Sequence, residues 1–293
     1  MKLALKKKTL TYIFILLSLL VTAGIWIGVS ITRDLPSATP GPAAERLTAK
    51  IESYTGQKAW KNTDAISFRF EPGNRAHLFD RNRRLARVEF LENADAENAA
   101  PESQISESGD PQTNKGSEDS GPTEDVTVLF QLDSRKGLVY RNGELLEGSE
   151  ADAWIQKAYE AHINDVFWLN PFYALRAPGA VRRLTEDQGL LITYETGGVT
   201  PGDSYLIYSN AEGKPEKWLL WTQAIPARGI EFTFEDWQEY DNGLRLSARR
   251  VSFLRPVELK DIQIYPEFPG ERKDPFAPLL ERIASEGSQQ AED

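Results

Sequence analysis

The chain has 293 residues, a net charge of −10 and no cysteine. The missing thiols exclude disulfides, thiol catalysis, thiolate metal sites and a lipidated N-terminal cysteine. Residues 92–125 hold ten Asp and Glu against Lys115 alone, so −9 of the −10 sits in one stretch and the remainder is nearly neutral and aromatic-rich.

Lys2, Lys6, Lys7 and Lys8 precede an uncharged, mostly apolar run from Leu10 to Ile31. At about 1.5 Å per residue the run spans roughly 33 Å, enough to cross a hydrocarbon core of about 30 Å. Residues 1–33 therefore read as a cytoplasmic N-terminus and one transmembrane helix, with the rest of the chain beyond the membrane because the lysines precede the span. The alternative is a signal peptide cleaved near Val21-Thr22-Ala23, giving a secreted protein. Ile25, Trp26, Ile27, Val29 and Ile31 continue the apolar run past that point, which favours the uncleaved signal anchor. Pro36, Pro40 and Pro42 make residues 34–44 a semi-rigid spacer.

The folded domain is expected over residues 45–268. Leu47, Ile51 and Tyr54 recur at helical spacing within Ala43 to Tyr54, and Gly56 supplies a stop. Ile66, Phe68 and Phe70 then alternate with Ser67, Arg69 and Glu71, the pattern of a strand with one buried face. Further strands are predicted at Arg75 to Asp80, Leu85 to Leu91, Val126 to Leu132 and Gly137 to Tyr140, punctuated by Pro72-Gly73-Asn74 and Asn142-Gly143. Residues 92–125 offer only Ile105 as a sizeable apolar side chain, too little to offset the entropy of ordering. They read as a disordered acidic insertion between two strands.

Ser149-Glu150-Ala151-Asp152 resembles a capping box and opens a helix whose apolar stripe is Ala151, Trp154, Ile155, Ala158, Ile163 and His162. Asn164 to Leu175 is too interrupted by polar residues to continue that helix and reads as an aromatic-rich turn around Asn170-Pro171. Strands follow at Leu190 to Glu195, Ser204 to Ser209, Lys217 to Gln223, Ile230 to Glu235 and Leu244 to Leu254. Trp218-Leu219-Leu220-Trp221 is apolar at every position, so this strand is expected to be covered on both faces. Residues 269–293 form a Pro-rich, polar tail in which Phe276, Leu279, Leu280 and Ile283 mark one short amphipathic helix. The fold class is mainly β (α+β): a large curved antiparallel sheet with a few helices packed on one face.

Few residues point to covalent chemistry. His77 and His162 stand without a metal-type cluster in sequence, and no nucleophile elbow or phosphate-binding loop is present. Gly197 to Gly202 ends in Pro-Gly and reads as a hairpin tip. Glu231, Glu235, Asp236 and Glu239 offer carboxylates for glycoside hydrolysis, but Glu231 and Glu235 alternate with Ile230, Phe232 and Phe234 as a solvated strand face would. Arg81, Arg83, Arg84 and Arg87 form a short basic run, read as a turn facing lipid headgroups rather than nucleic acid. No catalytic residue, metal or cofactor is assigned, and no nucleic-acid partner.

The order Trp60, Ile66-Ser67-Phe68-Arg69-Phe70, Phe167-Trp168-Leu169-Asn170-Pro171-Phe172, Pro178-Gly179 and Gly243-Leu244-Arg245-Leu246 resembles bacterial exported proteins of the lipoprotein-carrier-like half-barrel superfamily. That resemblance covers roughly Ala43 to Leu254 without the acidic insertion. It implies an incomplete antiparallel barrel closed by helices around an apolar cavity that takes acyl chains in the carriers; with a bacterial source, the apolar span makes this an inner-membrane protein with a periplasmic domain. The chain differs from soluble carriers in its apolar span and from the outer-membrane receptors in lacking the lipidated cysteine. The expected function is binding of a lipid, acyl chain or other apolar ligand without covalent chemistry. Phe167, Trp168, Phe172, Tyr173, Trp218 and Trp221 are the expected cavity lining or rim. The alternatives are an envelope scaffold or sensor with a filled core, contacting another envelope protein, and a carbohydrate-active enzyme.

Overall fold

The computed structural model describes residues 32–91, 125–197, 200–223 and 228–289. The expected membrane span Leu10 to Ile31, residues 92–124 of the acidic insertion and part of the Gly197 to Gly202 tip lie outside them. Among the described residues no helix is long and apolar enough to cross a membrane.

In chain order the elements begin with strand β1 (Ala38–Thr39), helix α1 (Pro42–Thr55) and the short helix α2 (Gln57–Lys61). Strands β2 (Ala65–Phe70), β3 (Arg75–Asp80), β4 (Leu85–Leu91), β5 (Asp125–Gln131), β6 (Gly137–Arg141) and β7 (Glu144–Leu146) follow. Helix α3 (Ser149–Leu169) leads to β8 (Ala180–Thr185), β9 (Leu190–Tyr194), β10 (Ser204–Ser209) and β11 (Pro215–Trp221). The chain continues through β12 (Ile230–Glu239), β13 (Arg245–Val251) and β14 (Val257–Tyr265) to helix α4 (Ala277–Gln289). The described chain is thus mainly β, with antiparallel pairing and few helices.

Among the described residues, contacts divide these elements into two compact units, the first within 32–57, 170–239 and 245–256, the second within 58–169, 240–244 and 257–289. In the first unit the hydrogen-bonded order is β1-β8-β9-β10-β11-β12-β13. Helix α1 lies against β8, β9 and β13. It ends where the sequence predicts: Gly56 takes φ 73°, the left-handed region that glycine enters without strain, and its N–H caps the carbonyl of Glu52. Its buried stripe is Ala44, Thr48, Ile51 and Thr55 rather than Leu47, Ile51 and Tyr54. The two threonines can be buried because their hydroxyls donate to the carbonyls of Ala44 and Ile51, at 2.9 and 2.8 Å. Trp218, Leu219, Leu220 and Trp221 of β11 are all buried, as their uninterrupted apolar run predicts.

In the second unit the order is β14-β2-β3-β4-β5-β6-β7. Leu91 lies opposite Asp125 in the β4–β5 ladder, so the segment between them joins two hydrogen-bonded neighbours. Asn142 and Gly143, with φ of 50° and 83°, make the tight β6–β7 hairpin turn. One sheet face packs Ala86, Val88, Val128 and Phe130 against Ala151, Ile155 and Ala158 of α3. The other packs Leu85, Leu129 and Leu138 against Phe276 and Leu279 at the start of α4. Helical segments therefore cover both faces of this sheet, which corrects the expectation of helices on one face: the C-terminal tail brings enough apolar surface to cover the second.

Two sequence expectations fail for identifiable reasons. Asn164 to Leu169 continues α3 instead of starting a turn, because Asp165 points inward and is held there by charge. Strand β14 is absent from the strands predicted from sequence, because its alternation is hidden by an irregularity between Lys260 and Gln263 that includes Asp261 at φ 53°.

Candidate functional site

The predicted aromatic lining divides between the two units. Phe167 and Trp168 are half-buried in the last turn of α3, in the second unit. In the first unit, Phe172 and Trp218 converge on Phe234, with ring centroids 5.3 Å away in each case. Trp237 joins them, 6.2 Å from Phe172 and 6.1 Å from Phe234. Odd spacing along a strand would put Phe234 and Trp237 on opposite faces, but Asp236 between them is left-handed at φ 50° and carries no ladder pairing. Tyr205 stacks on Trp218 at 5.5 Å, and Tyr54 meets Trp237 edge-on at 5.5 Å. The Arg250 guanidinium lies 4.7 Å over the Phe234 ring, and burial lowers its pKa to about 9. Trp221 faces the other way, packed with Leu191, Leu206 and Leu219, its Nε1 donating to the carbonyl of Arg33 at 2.8 Å. Tyr173 is exposed.

The second unit contains a buried polar cluster that sequence reading missed. Arg75 and His77 alternate on β3, and His162 and Asp165 lie one helical turn apart on α3, so each pair shares a face. Folding brings the two faces together. Arg75 Nε and Nη2 donate to the two Asp165 carboxylate oxygens at 2.7 and 3.0 Å, and His77 Nε2 lies 2.8 Å from Asp165 Oδ2. Phe68 stacks on His77 at 4.7 Å, while Phe79 meets His162 edge-on at 4.8 Å. The two imidazoles stand 5.9 Å apart.

Burial alone would raise the Asp165 pKa, but the hydrogen bonds and charges of His77 and Arg75 overcome it and hold the carboxyl below its ordinary range. Burial, aided by the neighbouring His77, lowers the His162 pKa to about 3. The cluster is therefore an ion pair beside a neutral imidazole, and it fixes α3 to β3. The sequence signals were Arg75-Ala76-His77 in a strand and His162 three residues before Asp165 in a helix. Neither says which face the other meets. Among the described residues, no group of three or more His, Cys, Asp or Glu is placed to hold a metal ion.

The other charged candidates are occupied. Arg81 bonds the carbonyls of Trp60 and Thr63, Arg83 holds Asp80 and Asp274, Arg84 holds Asp133 and Arg87 holds Glu89. Residues 81–84 form the turn between β3 and β4, as read, and the basic run is spent on internal pairs. Glu231 pairs with Lys217, Glu235 with Arg249 and Glu239 with Arg245, so each of these three carboxylates lies beside a cation.

The second unit also carries an open groove of about 860 Å³. Residues of β4, β5 and β6, the Asn142–Gly143 turn and residues 273–278 line it. Leu91, Leu129, Tyr140, Pro275 and Pro278 give it apolar surface, and Arg87, Glu89, Asp125, Lys273 and Asp274 its charges. No protein-family model, curated protein or solved structure matches the chain.

Proposed function

We propose that this chain is a membrane-anchored extracytoplasmic domain that binds a lipid, an acyl chain or another apolar ligand without covalent chemistry. The groove in the second unit carries the reading: its volume of about 860 Å³ lies within the range of small-molecule sites, and it combines apolar surface with a few charged groups. The apolar run Leu10 to Ile31 behind four lysines supports an inner-membrane location with a periplasmic domain. The resemblance to lipoprotein-carrier-like half-barrels points to the same ligand class. An aromatic wall of Phe172 and Trp218 in the first unit belongs to that analogy, with the groove as the more open of the two places.

A second reading, an envelope scaffold or sensor with a filled core, is favoured by Trp218. Its ring is fully buried between Tyr205 and Phe234, as a core side chain would be. Displacement of a fluorescent acyl probe from the full chain separates the two. Saturable binding that is lost when Thr127→Trp fills the groove supports ligand binding, and the absence of saturable binding supports the scaffold.

A further inference from the structure

The groove's five charged residues do not all remain available. Arg87 and Glu89 neutralise each other at 2.5 Å, and both Asp274 oxygens accept from Arg83, the second at 3.0 Å. Two groups are left. Lys273 is exposed, and among the described residues no carboxylate lies within 4.0 Å of its Nζ. Asp125 is exposed at the start of β5, where its backbone N–H donates to Asn142 Oδ1 at 3.0 Å while its carboxylate enters no ion pair among the described residues. One cation and one anion, with no ion pair between them, thus share a groove whose remaining surface includes Leu129, Tyr140, Pro275 and Pro278.

A purely anionic ligand would meet Lys273 favourably and Asp125 unfavourably, and a neutral one would use neither. A ligand with both charges at one end and an apolar tail at the other satisfies both groups and the apolar surface together. We infer, resting on the reading of this groove as the ligand site, that its occupant is a zwitterionic phospholipid, with the phosphate at Lys273, the ammonium at Asp125 and acyl carbons over Leu129 and Tyr140.

The test is displacement of a fluorescent acyl probe from the full chain held in amphipol, with three competitors of one chain length: dodecanoyl lysophosphatidylethanolamine, dodecyl phosphate and monododecanoylglycerol. The zwitterion is expected to displace the probe at about tenfold lower concentration than either of the others. Lys273→Ala and Asp125→Asn should each reduce that preference, read as the ratio to monododecanoylglycerol in the same variant, to about twofold or less. Equal displacement by all three competitors, or a preference that survives both substitutions, overturns the zwitterion while the groove stands. Probe binding that persists in Thr127→Trp, or in Pro278→Trp should the first variant misfold, overturns the groove itself.

Discussion

His162 has no hydrophilic task that its sequence position reveals, yet it makes the chain sensitive to acid. Burial and the adjacent His77 lower its pKa from 6.5 to about 3, so the folded chain keeps it neutral while the unfolded chain takes up a proton below about pH 6.5. The unfolded state then binds more protons than the folded one, and stability falls as the pH is lowered. The contribution is complete above about 6.5 and is lost towards about 3, at about 1.4 kcal/mol per pH unit where the group dominates. His162→Phe keeps an aromatic edge for Phe79 and Phe130 and removes the titration. Urea unfolding at pH 7 and pH 4.5 should therefore show a smaller difference in the variant than in the parent. An equal difference in both would place the acid sensitivity elsewhere. Asp165 lies beside it with a different role: Asp165→Asn leaves Arg75 and His77 facing a neutral amide where a buried carboxylate stood. The expected loss is about 3–5 kcal/mol in the same assay at neutral pH.

At the scale of elements, close backbone approach and strand pairing decide more than composition does. Gly213 follows β10 at φ 90°, and a Cβ there would lie 2.6 Å from the Lys50 carbonyl oxygen of α1. The same turn accepts the Lys50 ammonium through Ala211 at 3.0 Å, so helix and turn are fastened at one place. Gly213→Ala should cost at least about 1 kcal/mol from backbone strain alone, with further loss from the clash, read as a lower thermal midpoint. Deleting Ala94 to Thr123 should have little effect. Leu91 and Asp125 are already directly opposite one another, and Glu92, Asn93 and Glu124 would remain as a three-residue hairpin loop. A midpoint within a few degrees of the parent is expected, since shortening a loop changes closure entropy only slowly. A large drop would show that the acidic segment contributes packing.

For the whole molecule, the two units should fail separately. Trp218→Ala removes a fully buried ring from the aromatic group of the first unit and should cost about 3–5 kcal/mol. Acyl-probe displacement at the groove of the second unit should be unchanged at a temperature where the variant is folded. Binding lost along with the ring would instead make the aromatic group the ligand wall.

Much of this architecture was legible in the sequence because period-two and helical patterns report directly on which side of an element is dry. Arg75–Asp80, Leu85–Leu91 and Ser204–Ser209 occur as strands at the predicted bounds, and the Phe276 to Ile283 pattern does form a helix. The alternation of Ile230, Phe232 and Phe234 with half-buried Glu231 and Thr233 is likewise as read. Patterns fail where a polar residue faces inward or a ladder slips, as at Asp165 and along Lys260 to Gln263. The sequence by itself determined the mainly β class and the site of the acidic charge. Only the tertiary structure decided that Arg75, His77, His162 and Asp165 form one cluster, that the arginine run is consumed by carboxylates and carbonyls, and that Lys273 shares a groove with Asp125. Those facts depend on which faces meet across long sequence separations, and a one-dimensional pattern records the faces but not their partners.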